Sequence, residues 1–316
     1  MTGYSVTSNR VKLLKHLDAL AAIQQGRAAP VMLHLAVTNH CNMNCTHCCF
    51  GGRDRQLELS TDKALAAIRQ FHGLGVRALE HTGGGEPTMH PGLDVIIRFA
   101  ASLGMVQGMC TNGSGAHRIH EWGLLRWVRV SLNVLDLDDS GRTAELERFV
   151  AWLKERTDVS ACYVVGNDTP TERILRAVEL AEQTGVLTRL TPDCLQPTDG
   201  IAALLRKMKQ VAPESDLAFV SDFNVTLHRP RACTMHMLKP FVYPDGWVYP
   251  CPSAELSNAA GRDVWPELRL CRVADVDEYY RNGLEPLPVQ CQYCKYAEQC
   301  DMLMDLLEDT DYNEFV

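Results

Sequence analysis

Cys41, Cys45 and Cys48 form a C-x3-C-x2-C triplet in the run His40-Cys41-Asn42-Met43-Asn44-Cys45-Thr46-His47-Cys48. The triplet follows Val31 to Val37, an apolar stretch that reads as a buried strand. Three thiolates on a loop leaving a strand can hold three corners of an iron–sulfur cube. A 4Fe–4S cube ordinarily takes four protein ligands, so three leave one iron open to an outside ligand. That suits chemistry better than electron storage. Zinc is the competing reading, because thiolates select iron–sulfur, zinc or Cu(I). Zinc sites more often pair two C-x2-C knuckles or add spaced histidines.

Around this loop the chain alternates strand and helix. Strand patterns cover 31–37, 76–82, 105–111, 127–133, 159–165 and 186–191. Helical patterns cover 60–72, 91–102, 117–124, 142–156 and 171–184, with Ser60 as an N-cap and Pro91 in a first turn. Six strands alternating with helices predict a parallel sheet with right-handed crossovers, short of an eight-stranded barrel. In such sheets ligands sit at the carboxyl ends of the strands. Gly83-Gly84-Gly85-Glu86-Pro87 stands at the second of those ends and Thr111-Asn112-Gly113 at the third. Glycines let backbone carbonyls approach a ligand closely, and Glu86 offers a negative partner for an ammonium.

Three motifs in register on successive strand ends resemble the radical S-adenosylmethionine (SAM) family. Its C-x3-C-x2-C loop leaves the first strand of a partial barrel, and its GGEP motif holds the SAM amino group. The resemblance implies an open (β/α)6 barrel within an α/β fold, and SAM on the cluster held by Cys41, Cys45 and Cys48. It implies SAM contacts from Gly84, Gly85, Glu86, Thr111 and Asn112, and from Ser131, Asn133 and Asn167 at later strand ends. For Ser131, Asn133 and Asn167 plain turn or strand-end chemistry is the alternative. His47 stands where relatives carry an aromatic near the adenine, and His81 either faces substrate or is a satisfied strand-end histidine. Apolar positions from Val11 to Ile23 predict an amphipathic leader helix packed on the barrel. The expected division is a leader at 1–30, the barrel at 31–192, and a linker with a cysteine-rich module at 193–316.

That module carries Cys233, then Gly246 and Cys251, then Cys291, Cys294 and Cys300 spaced C-x2-C-x5-C. Phe241 to Tyr249 reads as a hairpin around Pro244-Asp245-Gly246. The pattern looks like the SPASM/twitch extension of many radical SAM enzymes. Met304 stands where the full pattern has a last cysteine, so the resemblance implies one auxiliary 4Fe–4S cluster. Its expected ligands are Cys233, Cys251, Cys291 and Cys294, with Cys300 competing for one place and zinc as the alternative occupant. Cys49, Cys110, Cys162, Cys194 and Cys271 read as core or packed thiols, with hydrogen-atom donation as a second use for Cys110.

The chain has 316 residues, 46% of them hydrophobic, and 13 cysteines. It shows neither a signal-peptide core nor an apolar run of the ~18 residues a span needs. A reducing cytoplasm with cysteines serving metal is the expectation. The net charge of −8 argues against a broad nucleic-acid surface. By resemblance, the enzyme takes an electron from a donor such as flavodoxin or ferredoxin and cleaves SAM to a 5′-deoxyadenosyl radical. That radical takes hydrogen from substrate, and the auxiliary cluster aids oxidation or bond formation. About thirty residues precede the first strand, fewer than a leader-binding domain needs, which favours a small-molecule, sugar or nucleoside substrate. Peptide crosslinking, epimerisation or maturation is the alternative, and a two-cluster electron carrier the remote one.

Overall fold

Thr61–Gly73 (α2) shows how local sequence builds this fold. Ala64, Ala67, Ile68 and Phe71 recur at helical spacing and are fully buried. The Ser60 hydroxyl accepts from the Lys63 N–H at the helix start. Burying Ile68 and Phe71 contributes roughly 1.5–3 kcal/mol each. The computed structural model describes residues 10–136, 142–212, 215–221, 229–252, 265–289 and 294–308.

Among these residues one ten-stranded sheet organises the chain. Its strands are β1 (Met32–Ala36), β2 (Ala78–Thr82), β3 (Val106–Thr111), β4 (Trp127–Ser131), β5 (Asp158–Val165), β6 (Thr188–Pro192), β7 (Ala218–Val220), β8 (Phe241–Val242), β9 (Trp247–Tyr249) and β10 (Cys271–Arg272). The spatial order is β10-β9-β8-β1-β2-β3-β4-β5-β6-β7, so β10 and β7 form the two edges and the sheet does not close. Neighbours from β1 to β7 are parallel, as are β1 and β8, while β8, β9 and β10 run antiparallel. The remaining helices are α1 (Leu17–Gln24), α3 (Leu93–Ser102), α4 (Arg142–Lys154), α5 (Thr171–Thr184), α6 (Thr198–Val211), α7 (Trp265–Leu268), α8 (Val276–Arg281) and α9 (Ala297–Leu307). Buried side chains from α2, α3 and α8 pack with β1 and β2, and those of α4 and α5 pack with β3 to β6.

Several expectations change. A seventh parallel strand, β7, has three residues, too few to carry a periodic signal. The hairpin of β8 and β9 continues the main sheet through β1 instead of standing apart from it. In place of a helix at 117–124 stand two short turns, Ala116–Arg118 and Trp122–Leu124. The Asp94 carboxylate takes the backbone N–H of His120 and Glu121 between them, which breaks a helical path. Pro91 precedes the Gly92 N-cap of α3 and lies outside its first turn. The leader packs on the C-terminal region, because Leu13, Leu20 and Ile23 find their apolar partners in Leu303, Leu306 and Leu307 of α9.

Candidate functional site

Cys41, Cys45 and Cys48 lie half-buried on the loop that follows β1. The loop is shaped by its own chemistry: Cys48 N–H donates to the Cys45 carbonyl at 3.2 Å, and Met43 N–H to Cys41 Sγ at 3.4 Å. Arg53, 8% exposed, donates Nε to the Asn39 carbonyl and Nη1 to the Phe50 carbonyl, with Cys48 Sγ at 3.5 Å from Nη1. Asn112 Nδ2 stands 4.0 Å from Cys41 Sγ and donates to Asn42 Oδ1 at 3.1 Å. Burial pushes the Cys41 thiol up and Cys45 to about 11, with the neighbouring thiols adding to it. Thiolate at these positions therefore calls for a positive partner, which a metal cluster supplies.

The glycine motif is fastened directly to this loop. Gly85 N–H donates to the Thr38 carbonyl at 2.9 Å and Glu86 N–H to the His40 carbonyl at 2.8 Å. A Cβ on Gly84 would lie 1.7 Å from Asn39 Oδ1, and one on Gly85 2.0 Å from the His40 carbonyl oxygen. Both glycines are thus required for the approach of the two loops. Asn39 donates to the Tyr243 hydroxyl at 2.8 Å, so the turn after β8 reaches the same point.

Glu86 is 3% exposed. Its Oε1 accepts from the hydroxyls of Thr111 (2.6 Å) and Thr88 (2.8 Å), and Oε2 accepts from Asn112 N–H at 2.7 Å. Burial raises its carboxyl above the usual range, against the pull of those donors. Sequence reasoning read this carboxylate as an ammonium partner; the structure engages it in binding the glycine loop to the end of β3. It brings Gly84, Gly85, Glu86, Thr111, Asn112 and the three cysteines into one neighbourhood.

The later strand ends divide. Ser131 closes β4, half-buried. Asn133, in the turn Leu132–Asp136, accepts from Val164 N–H and donates to its carbonyl, both at 2.9 Å, and braces β5. Asn167 donates to Gln196 at 2.6 Å and lines a cleft of about 580 Å³ with Thr46, His47, Asp136, Arg173 and Asp193. Burial keeps His47 below its ordinary value. His81 is fully buried against Gln107, 2.8 Å away, on the opposite face of β2 from Glu80.

Sequence reasoning missed a set of charges on the concave face of the sheet. Val128 and Val130 join the helix-side core, so Arg129 and Ser131 turn the other way. Glu80 of β2 stands 3.6 Å from His34 of β1 and 3.6 Å from Cys110 Sγ of β3, and Arg129 Nη1 is 3.8 Å from Cys110 Sγ. Burial pushes Cys110 up to about 12, and Glu80 adds to it, so it stays a thiol. Burial pushes the Glu80 carboxyl upward, yet its neighbours hold it below the usual range. His34, driven to about 3 by burial, is neutral, so Lys239 and Arg129 carry that effect. A charged residue inside an otherwise apolar strand was the available signal.

A second group of thiols gathers in the C-terminal region. Cys233 and Cys294 both hydrogen-bond to Cys300, and Cys251 lies near all three. Cys300 is fully buried, and those donors with Thr234 draw it down to about 3. Cys233, Cys251 and Cys294 line a cavity of about 300 Å³ with Met235, Leu268 and Leu287. The expected place for Cys300 was a competing one; the structure puts it at the centre of the group. Cys291 lies outside the described residues. Cys49 packs beside Phe50 and Tyr243, and Cys271 sits in the core of β10. Among the described residues no three His, Cys, Asp or Glu side chains are placed to hold a single metal ion. A cube spreads its thiolates more widely than one tetrahedral ion does, and the soft, all-sulfur donor set suits it.

The Radical SAM superfamily model matches residues 35–188. PqqA peptide cyclase of Ruegeria pomeroyi is 28% identical over 306 aligned residues, covering 84% of this chain and 80% of that one. GTP 3′,8-cyclase of Chlorobaculum tepidum is 32% identical over 127 residues, 37% of each chain, so the match spans little more than a third of that cyclase. Among solved structures, Streptococcus suis SuiB bound to S-adenosylmethionine superposes with a TM-score of 0.55 at 16% identity, over 82% of this chain and 71% of that one. Native anSMEcpe with bound AdoMet and Kp18Cys peptide gives 0.55 at 14%, over 86% and 88%. Their likeness is one of fold. No helix among the described residues is long and apolar enough to cross a membrane. Residues 35–188 thus form a radical SAM domain, and with the cyclase relatives that match supports an enzyme using a 4Fe–4S cluster and SAM.

Proposed function

We propose that this radical SAM enzyme modifies a peptide. The match to PqqA peptide cyclase runs through most of both chains, including the C-terminal region, whereas the GTP 3′,8-cyclase match stops near a third. That breadth carries the reading. SuiB with its precursor peptide SuiA and anSMEcpe with a bound peptide share the fold, which supports the same direction. It moves the substrate away from the small molecule favoured by chain length alone.

Cys41, Cys45 and Cys48 would hold the SAM-binding cluster, and Gly83 to Gly85 would present backbone carbonyls to the methionine ammonium. Bound there, the cluster and SAM supply a reductively generated carbon radical that takes a hydrogen atom. Glu86 fixes the glycine loop against the Thr111 hydroxyl and the Asn112 N–H, so the loop would meet SAM in one geometry. Ser131 would contact the ribose or carboxylate, and Thr46, His47, Asn167 and Arg173 line an open cleft beside the cysteine loop. Cys233, Cys251, Cys294 and Cys300 would hold the auxiliary cluster, with Cys291 completing or replacing one of them. Cytoplasmic work with a flavodoxin-like or ferredoxin-like reductant follows from this chemistry.

The test presents reduced, anaerobically reconstituted enzyme with a library of short peptides and, separately, with nucleosides and sugars. The account expects a peptide to stimulate 5′-deoxyadenosine formation and to change mass. Stimulation by a nucleoside or sugar, with no peptide converted, would return the function to the small-molecule reading.

A further inference from the structure

Among the described residues, Arg189 on the inner face of the sheet has no anionic partner. Arg189 is the second residue of β6, paired in register with Cys162 of β5, which in turn pairs with Ser131 of β4. Its Nη2 lies 3.7 Å from Cys162 Sγ, a weak contact for a cation. Its Nε is buried with no hydrogen-bond partner, and among the described residues no carboxylate lies within 4.0 Å of the guanidinium. One row deeper stands Arg129, beside Cys110, and Cys110 feels the positive charge of both guanidinium groups. Glu80 answers Arg129 and Lys239, not Arg189. A partly buried guanidinium without an anion is costly, and its planar fork matches a carboxylate.

We propose that Arg189, supported by Arg129, binds a carboxylate of the substrate inside the barrel mouth. The ligand is an Asp or Glu side chain or the free C-terminus of the substrate peptide. This deepens the reading that the enzyme acts on a peptide and rests on it. Arg189 lies two strands from Ser131, about 10 Å along the sheet, which separates this carboxylate from that of SAM. The site selects which residue comes to the mouth, and Arg189 is a binding residue rather than a reacting one.

The experiment titrates anaerobically reconstituted, SAM-loaded enzyme with three small probes. These are N-acetyl-glutamate N-methylamide, its glutamine counterpart, and N-acetyl-alanine with a free carboxylate. One of the two acids should bind about tenfold or more tighter than the neutral amide. Arg189→Gln should erase that preference, Arg189→Lys should keep part of it, and neither should change SAM affinity. Which acid binds decides between side chain and C-terminus. Equal binding of acid and amide, no binding of any probe, or a preference surviving in Arg189→Gln would overturn the site. So would weaker SAM binding in Arg189→Gln, which would make Arg189 a cofactor contact. Enzyme that bound no SAM yet still preferred an acid would keep the anion site and overturn the function proposed above.

Discussion

The two thiol groups of this chain are built in opposite ways. Cys41, Cys45 and Cys48 are half-exposed on a loop tied down by backbone and by Arg53 and Asn112. In the second group Cys251 and Cys300 are buried among Met235, Leu238 and Leu303, Cys233 and Cys294 are half-buried, and both of the latter hydrogen-bond to Cys300. An open set of three leaves room for an exogenous ligand beside it. Four thiolates would complete a cube's protein ligands and leave no iron for an outside one. On the proposed assignment both groups serve one kind of cofactor, and the first is the reaction site.

The closed group is the easier one to break. Cys300→Ala should remove about half of the iron of the reconstituted enzyme, the share of one of two cubes, whereas Cys271→Ala should leave it unchanged. Iron and sulfide analysis of both variants checks this, and equal iron loss in the two would remove Cys300 from the set. Such a variant should still form 5′-deoxyadenosine, uncoupled from product.

Gly85→Ala attacks the open group without touching a thiol. A Cβ 2.0 Å from the His40 carbonyl forces the backbone apart, and overpacking of this kind costs about 1–3 kcal/mol. SAM affinity measured by equilibrium binding should fall by roughly tenfold or more, with the C-terminal iron retained. Unchanged affinity would show that the glycine loop does not shape the site.

Glu86→Gln should act more mildly. Its amide keeps one acceptor but turns an N–H toward the Thr111 and Thr88 hydroxyls or the Asn112 N–H. That leaves one donor unmet at about 1–3 kcal/mol. Thermal stability should drop and SAM affinity fall a few-fold. A loss of affinity with stability untouched would instead point to a direct contact with the ammonium.

The smallest effect is one of pH. His81 is buried neutral, pushed to about 4 by burial, while the unfolded chain takes its proton near 6.5. Its contribution is therefore whole above pH 6.5 and is lost as pH falls toward 4. The fall in denaturant midpoint across that window should be shallower in His81→Gln, and an identical slope would assign the loss to other groups.

Much of this was legible in sequence. The first six strands and the helices at 60–72, 142–156 and 171–184 follow from apolar periodicity, because each buries one face against the sheet. The motifs fell at strand ends, where the fold gathers ligands. What escaped depends on distant partners. Three-residue β7 has no period of its own, and the hairpin gave no sign that it would pair with β1. Cys300 stands on α9, and its approach to Cys233 is set by helix packing, not spacing. The hydrogen bonds that hold Glu86 come from Thr88, Thr111 and Asn112, which meet it only when β2 and β3 align.

The central claim is that one thiol group is open to SAM and the other is not. Electron paramagnetic resonance of the reduced enzyme, with and without SAM, tests it most directly when Cys41, Cys45 and Cys48 are all changed to Ala. The wild type should show a cluster signal that SAM perturbs, and the triple variant should keep a second signal that SAM leaves alone while forming no 5′-deoxyadenosine. A SAM-sensitive signal in the triple variant, or persistent SAM cleavage, would contradict the account.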